Sequence, residues 1–137
     1  MARDHYVYPA IFEYEDDGRI SISFPDLPGC FSCAESDEEA LRMASDALGL
    51  HLFAMEQDSD PIPDPTALKD IPCAGNQRSV LVEVHMPLIR QAIESAAIKK
   101  TLTIPRWLNA LAERHNVNFS QVLQEALKEQ LGVKKAG

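Results

Sequence analysis

The stretch Ile98-Lys99-Lys100-Thr101-Leu102-Thr103-Ile104, followed at once by Pro105 and two short amphipathic segments, poses a packing problem that one copy of the chain cannot solve. Strand alternation puts Leu102 and Ile104 on one face and Lys99, Thr101 and Thr103 on the other. Pro105 suits the first turn of a helix whose apolar stripe is Trp107, Leu108, Leu111 and Ala112. Asn116, which tolerates a left-handed backbone, closes that helix. Asn118 caps the next helix, with Gln121 three residues on completing a capping box. Val122, Leu123, Ala126, Leu127 and Leu131 form the second stripe, and Gly132 ends it. A lone strand with two such helices has neither ladder partner nor core, so pairing with a second copy across a two-stranded antiparallel ribbon is the expected solution. The expected dimer core is Leu102, Ile104, Trp107, Leu108, Leu111, Val122, Leu123 and Leu127, and assembly of dimers into tetramers stays open.

Charge gives this segment a task. Residues 98–137 carry Lys99, Lys100, Arg106, Arg114, Lys128, Lys134 and Lys135 against Glu113, Glu125 and Glu129, a balance of +4 within a chain of net −8. The remainder therefore holds −12. An acidic chain with a basic end suggests two binding partners of opposite charge. A two-stranded ribbon fits the major groove of DNA, where Lys99, Thr101 and Thr103 would meet base edges. Lys100, Asn118 and the free amides of Phe119 and Ser120 at the start of the second helix would hold phosphates and so position the ribbon. The competing reading is a strand and helical hairpin used only for dimerisation.

The longer N-terminal part has its own pattern. Tyr6, Tyr8, Ala10, Phe12 and Tyr14 share one parity, Asp16-Asp17-Gly18 supplies a turn, and Ile20, Ile22 and Phe24 alternate with serines, which predicts a hairpin. A third short strand is expected at 30–32. Ser36 and Glu39 form a capping box ahead of Leu41, Ala44, Leu48, Leu52 and Met55, spaced as one helical face. Pro61, Pro63, Pro65 and Pro72 make 58–72 a loop. Residues 79–85 read as a strand through Val80, Val82 and Val84, and 88–97 tends to helix. The order is β-β-β-α-β.

Nothing in this part compels catalysis. Glu13, Glu15, Asp16, Asp17 and the acids at 37–39 read as solvated faces or first-turn residues, not as a converging metal-binding set. Cys30-Phe31-Ser32-Cys33 has knuckle spacing, but no second pair follows and Cys73 stands alone. Small buried thiols are the simpler account, with zinc aided by His51 or His5 as the alternative. The four histidines show no ligand spacing, and His115 suits a helix C-terminus. No cofactor, metal or catalytic residue is expected. Three cysteines fit a reducing compartment, and no apolar run approaches membrane-spanning length. The first residues lack the apolar core of a secretory signal. A cytoplasmic location with no membrane partner follows as an expectation.

Phe24-Pro25-Asp26-Leu27-Pro28-Gly29-Cys30, followed by Ser36-Asp37-Glu38-Glu39-Ala40 opening a helix, resembles the signature of HicB antitoxins. Lys100-Thr101-Leu102-Thr103-Ile104-Pro105 is similar to the ribbon-helix-helix variant of that family. Ala34 and Glu35 stand where the family usually carries Gly and Asp. The resemblance implies an α+β chain: a degenerate RNase H-like toxin-neutralising domain at 1–86, a helical linker at 87–97, and a ribbon-helix-helix domain at 98–137. It further implies binding and masking of a HicA-type toxin that cleaves messenger RNA, together with repression of the chain's own operon through operator double-stranded DNA. No toxin-contacting residue is assigned; at Asp26 the reading is that Asp and Pro shape the turn. The alternatives are a stand-alone repressor with a ligand-sensing or assembly domain, and a small RNase H-like nuclease.

Overall fold

The computed structural model describes residues 3–133. Lys134 and Lys135, counted in the basic segment above, and the outermost residues of the 1–86 and 98–137 domains lie outside them. The chain divides into two compact units, 1–97 and 98–137.

The first unit is a four-stranded antiparallel sheet with a long helix against one face. Its strands are β1 (His5–Tyr14), β2 (Ile20–Ser23), β3 (Phe31–Ala34) and β4 (Gln77–His85), in the order β3-β2-β1-β4. Period-two alternation selects the buried face: Tyr6, Tyr8, Ala10 and Phe12 from β1, Ile20 and Ile22 from β2, and Val82 and Val84 from β4. Pro9 sits within β1 but outside the part paired with β2, where a missing N–H is tolerated. The loop before β3 is a buried scaffold. Phe24, Leu27 and Cys30 recur every three residues and are all in the core. The Leu27 N–H donates to the Phe24 carbonyl and the Cys30 N–H to the Leu27 carbonyl, at 3.0 and 3.1 Å, and Gly29 takes φ +89°. The third strand lies slightly later than the expected 30–32.

Helix α1 (Asp37–Gln57) begins where Ser36 accepts the Glu39 N–H at 3.1 Å. Glu39 answers one residue earlier than a capping box requires, accepting the Glu35 N–H at 3.3 Å. Its buried stripe is Ala40, Ala44, Leu48 and Leu52. Leu41, expected on that stripe, is exposed, because the four-residue stride facing the sheet starts from Ala40 and leaves position 41 about 100° away. Small alanines in the first half bring the helix close to the sheet, and leucines fill the second half. Truncating Leu48 there would cost about 2–5 kcal/mol.

Helix α2 (Met86–Ser95) accounts for residues expected to form a linker at 87–97, but it belongs to the first unit. Buried Met86 and partly buried Ile89 join the core, and Arg90 pairs with Glu56 of α1 at 2.6 Å and with Asp4 at 3.0 Å. Glu56 is the main reason the Arg90 guanidinium holds its proton still more firmly than usual. Between α1 and β4, the proline-rich segment is tied down at two points. The Tyr8 hydroxyl donates to the Pro63 carbonyl. Asp26 accepts the Thr66 N–H at 2.9 Å and the Thr66 hydroxyl at 2.6 Å.

The second unit consists of helices α3 (Arg106–Arg114) and α4 (Phe119–Leu131) preceded by an unpaired segment. The strand expected at 98–104 does not form within one chain, since a strand needs a neighbour to complete its ladder. Pro105 precedes α3 instead of lying in its first turn, and its carbonyl accepts the Leu108 and Asn109 N–H groups at 3.1 Å.

Candidate functional site

In the second unit the local signals act at the expected positions. Asn116 takes φ +53° after α3, and the Val117 N–H returns to the Ala112 carbonyl at 3.1 Å. Asn118 Oδ1 accepts the Gln121 N–H at 3.1 Å, which starts α4. The Gln121 side chain does not close the reciprocal half of a box; its amide reaches Glu125 at 3.5 Å. Gly132 ends α4 in the left-handed region at φ +69°.

These caps orient two apolar stripes that one chain leaves uncovered. Among the described residues of this unit none is buried, and Leu123 is only half-buried. Leu102, Ile104, Trp107, Leu108, Leu111, Val122 and Leu127 are all exposed, Trp107 at 68%. Apolar surface of this extent on one small unit marks an interface. Leu102, Ile104, Phe119, Val122 and Leu123 line one concavity together with Lys100 and Ser120. The Asn118 carbonyl and side chain take the Val122 and Gln121 N–H groups, so the Phe119 and Ser120 amides are left at the helix start. Lys99, Thr101 and Thr103 are exposed on the other parity of the unpaired segment. The expected phosphate-facing residues Lys100, Phe119 and Ser120 thus share a concavity with Leu102, Ile104, Val122 and Leu123 of the expected dimer core, while Lys99, Thr101 and Thr103 lie outside its lining.

In the first unit the acidic residues are dispersed. Glu13 accepts from Gln77 and Glu15 from Ser21, Asp17 pairs with Arg19, and Asp37 accepts the Tyr14 hydroxyl at 2.6 Å. That last bond is the leading reason the Tyr14 phenol ionises above its usual range. Asp26 does more than shape its turn, because it anchors Thr66 forty positions away.

The cysteines do not form a unit either. Cys30 is buried with its thiol directed at the Ala47 carbonyl, and burial pushes that thiol up to about 11. Cys33 is exposed, contrary to the expectation of a buried thiol, because on β3 it has the parity opposite to buried Ala34, and Cys73 is exposed in its loop.

Sequence spacing missed one group altogether. His5, Glu83 and His85 lie together on exposed positions of β1 and β4, with ligand atoms all within 4.8 Å of one another. They are the one set of three or more His, Cys, Asp or Glu side chains so placed among the described residues. The signal that would have found them is the register pairing His5 with His85, which a pattern read along the chain does not contain.

Comparison with known proteins gives these surfaces a context. A family model described as the HicB_like antitoxin of bacterial toxin-antitoxin systems matches residues 8–127. Antitoxin HicB 1 of Photorhabdus laumondii is 28% identical over 93 residues, which cover 65% of this chain and 60% of that protein. An uncharacterised protein of Haemophilus phage HP1 is 37% identical over 57 residues, 42% of either chain. The matches thus span less than two thirds of the length of these curated relatives. Among solved structures, a chain of a toxin-antitoxin complex from Streptococcus pneumoniae superposes with a TM-score of 0.59 at 26% identity, covering 92% of this chain and 99% of that one. The Burkholderia pseudomallei antitoxin HicB shares the fold at a TM-score of 0.53 and 18% identity, over 90% and 98% of the two chains.

Proposed function

This chain belongs to the HicB_like antitoxin family of bacterial toxin-antitoxin systems, and we propose that it binds and masks a HicA-type, messenger-RNA-cleaving toxin and represses its own operon as a DNA-bound dimer. The observation that carries the reading is the division of labour between the units. The first has its own core and holds the chain's acidic excess; the second is basic and has an apolar surface with no buried residue among those described.

The first unit, read as a degenerate RNase H-like domain, takes the toxin. Its acidic surface suits capture of a basic ribonuclease by speeding encounter, with affinity supplied by a buried contact. Its carboxylates are spread among separate hydrogen-bond partners, which supports a binding role over a two-metal nuclease centre.

The second unit is a ribbon-helix-helix module. Pairing residues 98–104 of two copies completes the missing ladder and places Leu102 and Ile104 over the stripes of α3 and α4. Lys99, Thr101 and Thr103 then project from the ribbon into the major groove, while Lys100, Asn118, Phe119 and Ser120 hold phosphates. The described residues contain no helix long and apolar enough to cross a membrane. A cytoplasmic location is part of the proposal, because operator DNA and messenger RNA are the targets it names.

The test is co-expression of the full chain with the HicA-type toxin from its own locus, scored for rescue of growth, co-purification, and retardation of the promoter fragment in a gel. Rescue with co-purification and a dimer-dependent shift is the expected result. Failure to rescue or to co-purify overturns the antitoxin role, and loss of the shift alone overturns the repressor role.

A further inference from the structure

From the geometry of β1 and β4 we infer that His5, Glu83 and His85 form a binding site for a first-row divalent cation, Zn²⁺ above all. The antiparallel register sets His5 directly opposite His85, and Glu83 lies two residues before His85 on the same strand. All three have the parity opposite to Tyr6, Val82 and Val84, so they project from the sheet face turned away from the core. His5 Nε2 is 3.0 Å from Glu83 Oε2, and the two imidazole rings stack with centroids 4.8 Å apart and planes 27° from parallel. Ligands at ordinary Zn–N and Zn–O lengths in a tetrahedral site stand roughly 3.3 Å apart, so modest side-chain rotation brings these three donors onto one ion.

The backbone under the site is held in place. β1 and β4 pair continuously from His5↔His85 to Glu13↔Gln77, and the Met86 N–H donates to the Asp4 carbonyl at 2.7 Å just beyond the last pair. Arg90 clamps the same end, reaching the Arg3 carbonyl at 2.6 Å, Asp4 at 3.0 Å and Glu56 at 2.6 Å. Fixing the Cα positions on two strands before the ion arrives removes much of the ordering cost of a three-ligand site.

Donor chemistry selects the ion. Two imidazoles and one carboxylate suit Zn²⁺ and its neighbours, whereas Mg²⁺ and Ca²⁺ favour sets made only of oxygen. Three protein ligands leave a coordination position toward solvent, the pattern of an open rather than a closed zinc site. The ion would staple the start of β1 to the end of β4.

The experiment uses the full chain carrying Cys33→Ser and Cys73→Ser, which removes the exposed thiols as competing ligands. Calorimetric titration with zinc chloride should give one equivalent per chain, with no response to magnesium chloride, and saturating Zn²⁺ should raise Tm by about 4 °C. His85→Ala, and His5→Ala from the opposite strand, should each weaken binding at least tenfold while leaving the metal-free Tm within a degree or so of the parent. His51→Ala should bind as the parent does. Cobalt bound in place of zinc should give a visible spectrum without a sulfur-to-metal charge-transfer band. Absence of stoichiometric binding in the chain carrying Cys33→Ser and Cys73→Ser, or unchanged affinity in both His variants, overturns the site.

Discussion

Asp26 grips Thr66 with both carboxylate oxygens, one on the backbone N–H at 2.9 Å and one on the hydroxyl at 2.6 Å. The contact joins the turn between β2 and β3 to the proline-rich segment after α1. Asp26→Ala and Thr66→Val should each lower stability by about 1 kcal/mol. The double substitution should cost less than the sum, because either change alone removes the shared contact. Urea unfolding of the four chains measures the coupling, and full additivity would show that the contact carries no energy.

A methyl group has no room at Gly49. A Cβ there would lie 2.9 Å from Ile89 Cδ1 and Cγ1 and 3.2 Å from Val84 Cγ2, so the glycine lets α2 and β4 approach α1. Gly49→Val should destabilise the chain by about 2 kcal/mol through overpacking. Ile89→Ala in the same chain should recover part of the loss. Thermal unfolding of the single and double variants decides this, and a stabilised Gly49→Val chain would refute the close approach.

Cys30 should respond to pH and to alkylation differently from its two relatives. Its thiol is held up at about 11 by burial, against an ordinary value near 9.0. The folded chain therefore keeps a proton there that the unfolded chain has lost. The resulting stability is complete below pH 9 and fades as pH rises toward 11. Cys30→Ala should flatten that decline while costing packing energy at neutral pH. Mass spectrometry after mild iodoacetamide treatment should find Cys33 and Cys73 modified and Cys30 intact, and early labelling of Cys30 would contradict its burial.

The ribbon assignment makes the residues of one strand parity separable in function. Thr101→Ala and Thr103→Ala should relax operator choice with little change in nonspecific affinity. Lys99→Ala should weaken binding by about 1 kcal/mol and reduce the salt slope by about 1. Leu102→Asp, on the other parity, should abolish DNA binding by preventing pairing, visible as a monomer in analytical ultracentrifugation. Operator titrations unchanged in all three polar variants would remove the ribbon from the groove.

Much of this architecture could be read from local pattern, because the forces involved act over a few residues. The parity of Tyr6, Tyr8, Ala10 and Phe12 marks the buried face of β1, and Ser36, Asn116, Asn118 and Gly132 mark helix ends through their own side chains or backbone freedom. What escaped depends on which distant segments become neighbours. His5 meets His85 only because β4 adds to the free edge of β1 in one register, and periodicity along either strand is the same in every even-numbered register. Asp26 and Thr66, or Arg90 and Glu56, are likewise joined by topology. The helix at 86–95 was legible as a helix, but its place in the first unit rests on packing of Ile89 and Arg90 that no stripe pattern announces. The helix ends of the second unit were legible for the opposite reason: the signals at Asn116, Asn118 and Gly132 are local.

A unit with no buried side chain among its described residues is, on the proposed pairing, governed by supply. If α3 and α4 reach their stable packing only in pairs, the paired population follows the square of the free chain, and halving that chain cuts it roughly fourfold. The first unit, with a core of its own, is spared this dependence. A falling copy number would therefore silence the proposed DNA-binding half of the molecule while the acidic half kept its fold and its proposed hold on the toxin.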